Sequence, residues 1–168
     1  MADETPGIDT TAFADTTDGN DTQPQVSILT QYVKDLSFEN PNAPMSLQME
    51  TAPRIEINVN VNARRANEDM YEVELKIEAK AFNGDSVAFV VELLYGGLFG
   101  LRNVPAEALE PFLVVEAPRI LFPFARRIVA DATRDGGYPP LLLEPIDFAT
   151  LYMQQQAGAA GQPAVGNA

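Results

Sequence analysis

The hydrophobic period of this chain changes once, at Asn103-Val104-Pro105, and that change limits its possible folds more than any other feature. Before it, apolar residues recur at every second position; after it, at every third or fourth. Side chains alternate between two faces in a strand, whereas in a helix they return to one face every three to four residues. Strands therefore come first and helices second. That is the order of an α+β domain, a four-stranded antiparallel sheet with C-terminal helices packed on one face.

The alternation is cleanest in two segments. In Arg54–Asn62, Ile55, Ile57, Val59 and Val61 oppose Glu56, Asn58, Asn60 and Asn62. In Tyr71–Ala81, Tyr71, Val73, Leu75, Ile77, Ala79 and Ala81 oppose Glu72, Glu74, Lys76, Glu78 and Lys80. Asn83-Gly84-Asp85 then signals a hairpin turn. The next strand, Ser86–Phe99, is apolar on both faces, with Glu92 its only charge. Such a strand is buried on both sides or offers a second contact surface. Strict alternation in the first strand puts Val26, Ile28, Tyr32, Leu36 and Phe38 on one face. Ser27, Gln31, Asp35, Ser37 and Glu39 fall on the other. Two readings of that outer row stand: an ordinary solvated face, or a docking strip for a cationic partner.

After the period change, Ala108, Leu109, Phe112 and Leu113 predict a short helix that Pro118 interrupts. A longer helix follows over Ile120, Leu121, Phe124, Ala125, Ile128, Val129 and Ala132, with Pro123 expected to kink or reset it. Gly136-Gly137 is the expected stop, and Tyr138–Pro145 must be extended. Asp147 is placed to cap a last helix, with Ile146 and Leu151 as its hydrophobic staple.

Composition sets the boundaries. Residues 1–24 hold six acids and no base, too polar to offset their ordering entropy, so a disordered acidic tail is expected. The folded domain is expected over 25–153, followed by a low-complexity, disordered tail at 154–168. The N-terminus MADETPGIDT has neither a basic region nor an apolar run, and no stretch has the length of a membrane span. A cytoplasmic chain without membrane insertion is the expectation.

Composition also excludes function classes. The formal net charge of −13 opposes binding to nucleic acid, which needs clustered cations. The chain has no Cys and no His, so thiolate and imidazole chemistry and the usual zinc and haem ligands are missing. The serines have no His to activate them. Gly96-Gly97 opens no helix and precedes no phosphate-loop Lys. Carboxylate pairs such as Glu72 and Glu74 read as a solvated strand face. The reading is a non-enzyme with no cofactor and no metal.

What remains unusual is apolar. Met45, Leu47 and Met49 alternate in the segment after Pro44; Leu141, Leu142 and Leu143 form a run; Phe148, Leu151, Tyr152 and Met153 follow. Taken singly, each can simply cover the core. Together they suggest an adaptable binding surface, since Met and Leu on loops suit varied partners.

At this point the chain resembles the SecB family of protein-export chaperones. The residues that carry the resemblance are KDLSFENPNAP at 34–44, YEVELKI at 71–77, AFVVELLYGGLF at 88–99, PRILFPFARRIV at 118–129 and GYPPLLLEPIDFATLYMQQ at 137–155. The resemblance implies a homotetramer, a dimer of dimers, which holds unfolded precursor proteins without ATP and passes them to the SecA motor ATPase. It implies SecA contacts at Asp35, Glu39, Val90 and Glu92. It implies an apolar client groove at Tyr32, Phe38, Phe89, Leu143, Leu151 and Tyr152, bordered by Met45, Leu47 and Met49 in a crossover loop. Val91 and Leu93 match positions linked to tetramer assembly. Two other readings remain open: a SecB-like chaperone dedicated to one partner such as an antitoxin, and a carrier of small apolar ligands.

Overall fold

The computed structural model describes residues 22–48 and 50–160. Its strands are β1 (Gln25–Glu39), β2 (Arg54–Arg65), β3 (Met70–Asn83) and β4 (Ser86–Arg102). They form one sheet in the order β1-β4-β3-β2, with every neighbouring pair antiparallel. β4 is therefore interior to the sheet, paired along both edges. β1 and β2 are consecutive in sequence yet lie on opposite edges, so the segment joining them must cross the ends of β4 and β3. The described residues of that segment include one 3-10 turn, Met45–Gln48.

Residues paired across a ladder share a face. Ala79↔Val91, Ile77↔Leu93 and Leu75↔Tyr95 all lie on the face we call inner, and all are buried. Lys80↔Val90, Glu78↔Glu92 and Lys76↔Leu94 lie on the outer face. β1 departs from the alternation expected of it. Register shifts at Ile28/Thr30 and Val33/Asp35 leave Leu29 and Lys34 as extra residues. Each bulge reverses which parity faces outward. Tyr32, paired with Gly96, thus belongs to the outer face, whereas Leu36 and Phe38 are inner. The inner placement expected for Tyr32 is overturned.

After β4, α1 (Ala106–Pro111) runs through a π-helical turn, Phe112–Glu116, directly into α2 (Ala117–Asp135). Pro118 does not interrupt. The π turn closes with the Ala117 N–H donating to the Phe112 carbonyl, and Pro118 falls in the first turn of α2, where a missing N–H is tolerated. α2 also continues through Pro123, which is exposed. Its apolar stripe of Leu121, Ala125 and Val129 is fully buried against β3 and β4. The stop is as expected: Gly137 takes φ +93°, and Tyr138 N–H donates back to the Thr133 carbonyl.

An extended segment then leads to α3 (Phe148–Ala160). Asp147 Oδ1 accepts from Thr150 N–H at 3.1 Å, the expected cap. α3 continues seven residues past Met153, where the folded domain was expected to end. The tail expected at 154–168 is thus helical to Ala160, because Gln and Ala are good helix formers once a capped turn exists. Residues 1–21 and 161–168 lie outside the described residues.

Candidate functional site: an apolar groove and an acidic strip on opposite faces

The inner side chains of β2 underlie three adjoining basins. The first, about 420 Å³, is lined by Ile55 and Phe89, by Leu47 of the 3-10 turn, and by Tyr138 to Leu141 of the extended segment. The second, about 530 Å³, lies over Ile57 and Val59 against Leu142, Leu143, Ile146 and Leu151. The third, about 380 Å³, lies over Val61 and Ala63 against Leu109 and Leu113. Each basin has one carboxylate, Glu50, Glu144 and Glu110 respectively, and no Lys or Arg among its lining residues.

This groove exists because α2 covers only the middle of the sheet. β2 lies beyond the reach of α2 and keeps its apolar inner row, while the Pro139-Pro140 and Glu144-Pro145 steps hold the facing segment extended. β2 is also an edge strand, with a row of backbone N–H and C=O groups that no other strand among the described residues pairs.

Aromatic rings build the first basin. The Phe89 ring, 2 % exposed, packs against Tyr138 at 4.8 Å between centroids and stacks on Phe38 at 5.8 Å and 25°. Phe38 in turn lies against Gly136, where a Cβ would sit 2.2 Å from the ring. Met45, two residues before Leu47, is 70 % exposed.

The outer face is polar and organised in rungs. Glu39 pairs with Val90, Ser37 with Glu92 and Asp35 with Leu94, so the acids of β1 and Glu92 of β4 share one surface. Beside them on β3, Glu78 is engaged by Lys80 at 2.9 Å, a bond that lowers the Glu78 pKa and raises that of Lys80. Farther along, Tyr32 Oη donates to Glu72 Oε1 at 2.5 Å, and Lys34 Nζ reaches the same oxygen at 3.0 Å. Lys34 also bonds Glu74, and Arg64 bonds Glu72. These partners, the Tyr32 hydroxyl first, hold the Glu72 carboxyl down to about 2 although its burial acts the other way. The bulge at Lys34 is what lets this cation turn toward β3.

The positions named from sequence separate into four groups. Asp35, Glu39, Val90 and Glu92 lie together on the outer face. Leu47, Phe89, Leu143 and Leu151 line the basins, with Phe38 stacked on Phe89, while the exposed Met45 lines none of the three. Tyr32 and Tyr152 line none of the three: Tyr32 is on the opposite face, and Tyr152 Oη donates to Glu110 Oε1 at 2.7 Å. Val91 and Leu93 are 0 % and 1 % exposed, so they reach no surface of the single chain. Met49 lies outside the described residues. Sequence reasoning missed Ile55, Tyr138, Pro139 and Leu109 as basin walls; the extended YPP step after the Gly-Gly stop was the available signal for two of them.

Among the described residues no group of three or more His, Cys, Asp or Glu is placed to hold a metal ion, and no helix is long and apolar enough to cross a membrane.

Residues 19–159 match the family model described as "Preprotein translocase subunit SecB". The chain belongs to the SecB family. A Protein-export protein SecB from Rhizorhabdus wittichii is 56 % identical, with 98 % of each chain covered. The Zymomonas mobilis SecB is 61 % identical over 79 % of this chain and 80 % of its own. Among solved structures, a Mycobacterium tuberculosis SecB-like chaperone in complex with an antitoxin peptide has the same fold. It matches with a TM-score of 0.62 at 16 % identity, covering 72 % of this chain and 90 % of that one. The SecB fold thus accounts for the sheet order and for helices confined to one face.

Proposed function

We propose that this chain is an ATP-independent holdase that binds unfolded precursor proteins, keeps them competent for export and delivers them to the SecA motor. The observation that carries the reading is the row of three open apolar basins along β2, an edge strand of the described sheet. Apolar attraction is non-directional, so such a row accepts many sequences. Several weak sites in line act together on one long chain. A folded protein hides its apolar residues and loses these contacts. The rim carboxylates and the net charge of −13 favour clients whose apolar segments are flanked by basic residues.

In this reading SecA docks on the outer face at Asp35, Glu39, Val90 and Glu92, three acids that steer a cationic surface beside one apolar contact. The chain works in the cytoplasm as a homotetramer, a dimer of dimers. Val26, Ile28, Val33 and Leu36 support assembly: all lie on the inner face of β1, and each is nearly half exposed because α2 stops short of that edge.

Refolding of a denatured precursor is the test. The purified protein should slow it without nucleotide, and no slowing at a tenfold excess of tetramer rejects the holdase. Asp35→Lys should weaken SecA binding about tenfold or more and leave client binding unchanged, since the inserted charge lies on the opposite face. Equal loss of both defeats the assignment of the strip. Light scattering at micromolar subunit concentration should give the tetramer mass; a single-subunit mass removes the assembly from the proposal.

A further inference from the structure

The connection from β1 to β2 forms one lip of the first basin, and a small buried polar cluster fastens it. Tyr138 Oη is within 2.7 Å of Asn40 Oδ1, 2.8 Å of Ser46 Oγ and 3.0 Å of the Ala88 carbonyl oxygen. Ser46 Oγ also donates toward Asn40 Oδ1 at 3.2 Å. Asn40 Nδ2 donates to the Gly136 carbonyl at 3.1 Å, and Asn42 Nδ2 to the Val87 carbonyl at 2.8 Å. The connection is thereby tied to the end of α2 and to the start of β4. Tyr138 and Ser46 are 7 % and 8 % exposed.

The proton count shows how tight this arrangement is. Each hydroxyl has one proton to give. Two protons serve Asn40 Oδ1, the Ala88 carbonyl and the contact between the two hydroxyls. Removing the Tyr138 hydroxyl leaves Ser46 as the sole hydroxyl donor, and its reach is to Asn40. The Ala88 carbonyl then loses its hydroxyl partner in a site with little access to water. The connection is also the lip on which Leu47 packs, 3.0 Å from where a Gly137 Cβ would stand.

We propose that Tyr138, Asn40 and Ser46 form a latch that keeps the β1–β2 connection closed as a rigid lip over the first basin, with Tyr138 as a positioning residue for client retention. This rests on the holdase reading for its function but not for its structure. A preformed lip spares a client the cost of ordering it, so the latch acts on how long a client stays more than on how fast it arrives. The ring of Tyr138 packs on Phe89 with or without its hydroxyl, so Tyr138→Phe takes the central hydroxyl out of the latch and leaves the wall.

The experiment compares wild type, Tyr138→Phe and Ser46→Ala by amide hydrogen exchange and by stopped-flow release of a fluorescein-labelled, reduced and carboxymethylated polypeptide as the unfolded probe. Exchange at the Ser46 and Leu47 amides, bonded to the Asn42 and Pro44 carbonyls, should rise about tenfold in both variants. Leu75 and Ile77 in the core should not change. Probe release should be about tenfold faster, with an association rate within twofold of wild type. Unchanged exchange at Ser46 and Leu47 overturns the latch. Faster exchange throughout β3 also overturns it, because Tyr138 would then be a core staple. Faster lip exchange with unchanged release refutes the role in client retention. A wild type that fails to bind the probe counts against the holdase, while the exchange data still decide the latch.

Discussion

Gly136→Ala sets two effects of similar size against each other. Gly136 ends α2 with φ −74°, a conformation alanine adopts readily. Alanine should gain up to about 1 kcal/mol over glycine there. Its Cβ, however, would lie 2.2 Å from Phe38 Cζ and 2.4 Å from Cε1, where carbon atoms need about 3.5–4.0 Å. The ring must move by more than an ångström. It cannot do so freely, because it is stacked on Phe89. Overpacking of this kind costs about 1–3 kcal/mol; swinging the ring out forfeits about 0.5–1.5 kcal/mol of aromatic pairing plus the apolar area it covers. The clash should win by about 1–2 kcal/mol. At this chain length that lowers the midpoint by about 3–6 °C. The assay is thermal unfolding at matched subunit concentration, since assembly shifts apparent stability. In a Phe38→Leu background, which leaves less bulk at the contact, the same change should be neutral or stabilising. A higher midpoint for Gly136→Ala alone would refute the reasoning, for it would mean that Phe38 is not pinned.

The acid limb of stability should report Glu72. Its folded pKa of about 2 lies below the ordinary 4.5, so the unfolded chain binds this proton more readily between those values. Its contribution is complete above about pH 4.5 and is lost as pH falls toward 2. Glu72→Gln should flatten urea-unfolding stability across that window, and identical slopes would count against the Tyr32–Glu72 bond. Gly97→Ala places a Cβ 2.7 Å from Leu121 Cδ2 and 2.8 Å from Phe99 Cε2, atoms of two fully buried side chains. A loss of about 1–3 kcal/mol is expected from denaturant titration, and no loss would mean that α2 is not seated on β4 as described. Leu142, 63 % exposed at the second basin, should tolerate Leu142→Asp within about 0.5 kcal/mol in stability. The same variant should release clients several-fold faster; unaltered release would remove that basin from the groove.

The alternation of Arg54–Asn62 and Tyr71–Ala81 carries over to the structure almost residue for residue, because both have one covered face and the β3–β4 register shift at Ala81/Phe82 comes only at the end of the second. β1 was less legible, since each extra residue inverts the parity on which a face is assigned. Val33 held the clue, an apolar residue in the row strict alternation sends outward, between bulges at Leu29 and Lys34. Pro118 was misread for a similar reason: a π turn upstream moves it into a first helical turn, and no local propensity announces such a turn. The groove was legible in its Leu141–Leu143 run but not in the half-buried Ile55 and Leu109 or the buried Tyr138, which become basin walls only through the way the helices leave β2 uncovered. Asp35 and Glu92 are distant in sequence, and only the β1–β4 ladder brings them onto one surface.

The sheet is also a partition. The basins open on the inner face along β2, and the carboxylates project from the outer face across β1 and β4, so the two sites differ in both face and edge. Under the proposed function, cargo on one side and a motor on the other do not collide, and either can arrive first. Occupancy would then be of random order, with a three-component complex accumulating whenever both are abundant. Displacement by competition would offer no exit route. Cargo would leave only as its own free energy changes, by folding or by being pulled, and the timing of handover would belong to whatever acts on the cargo.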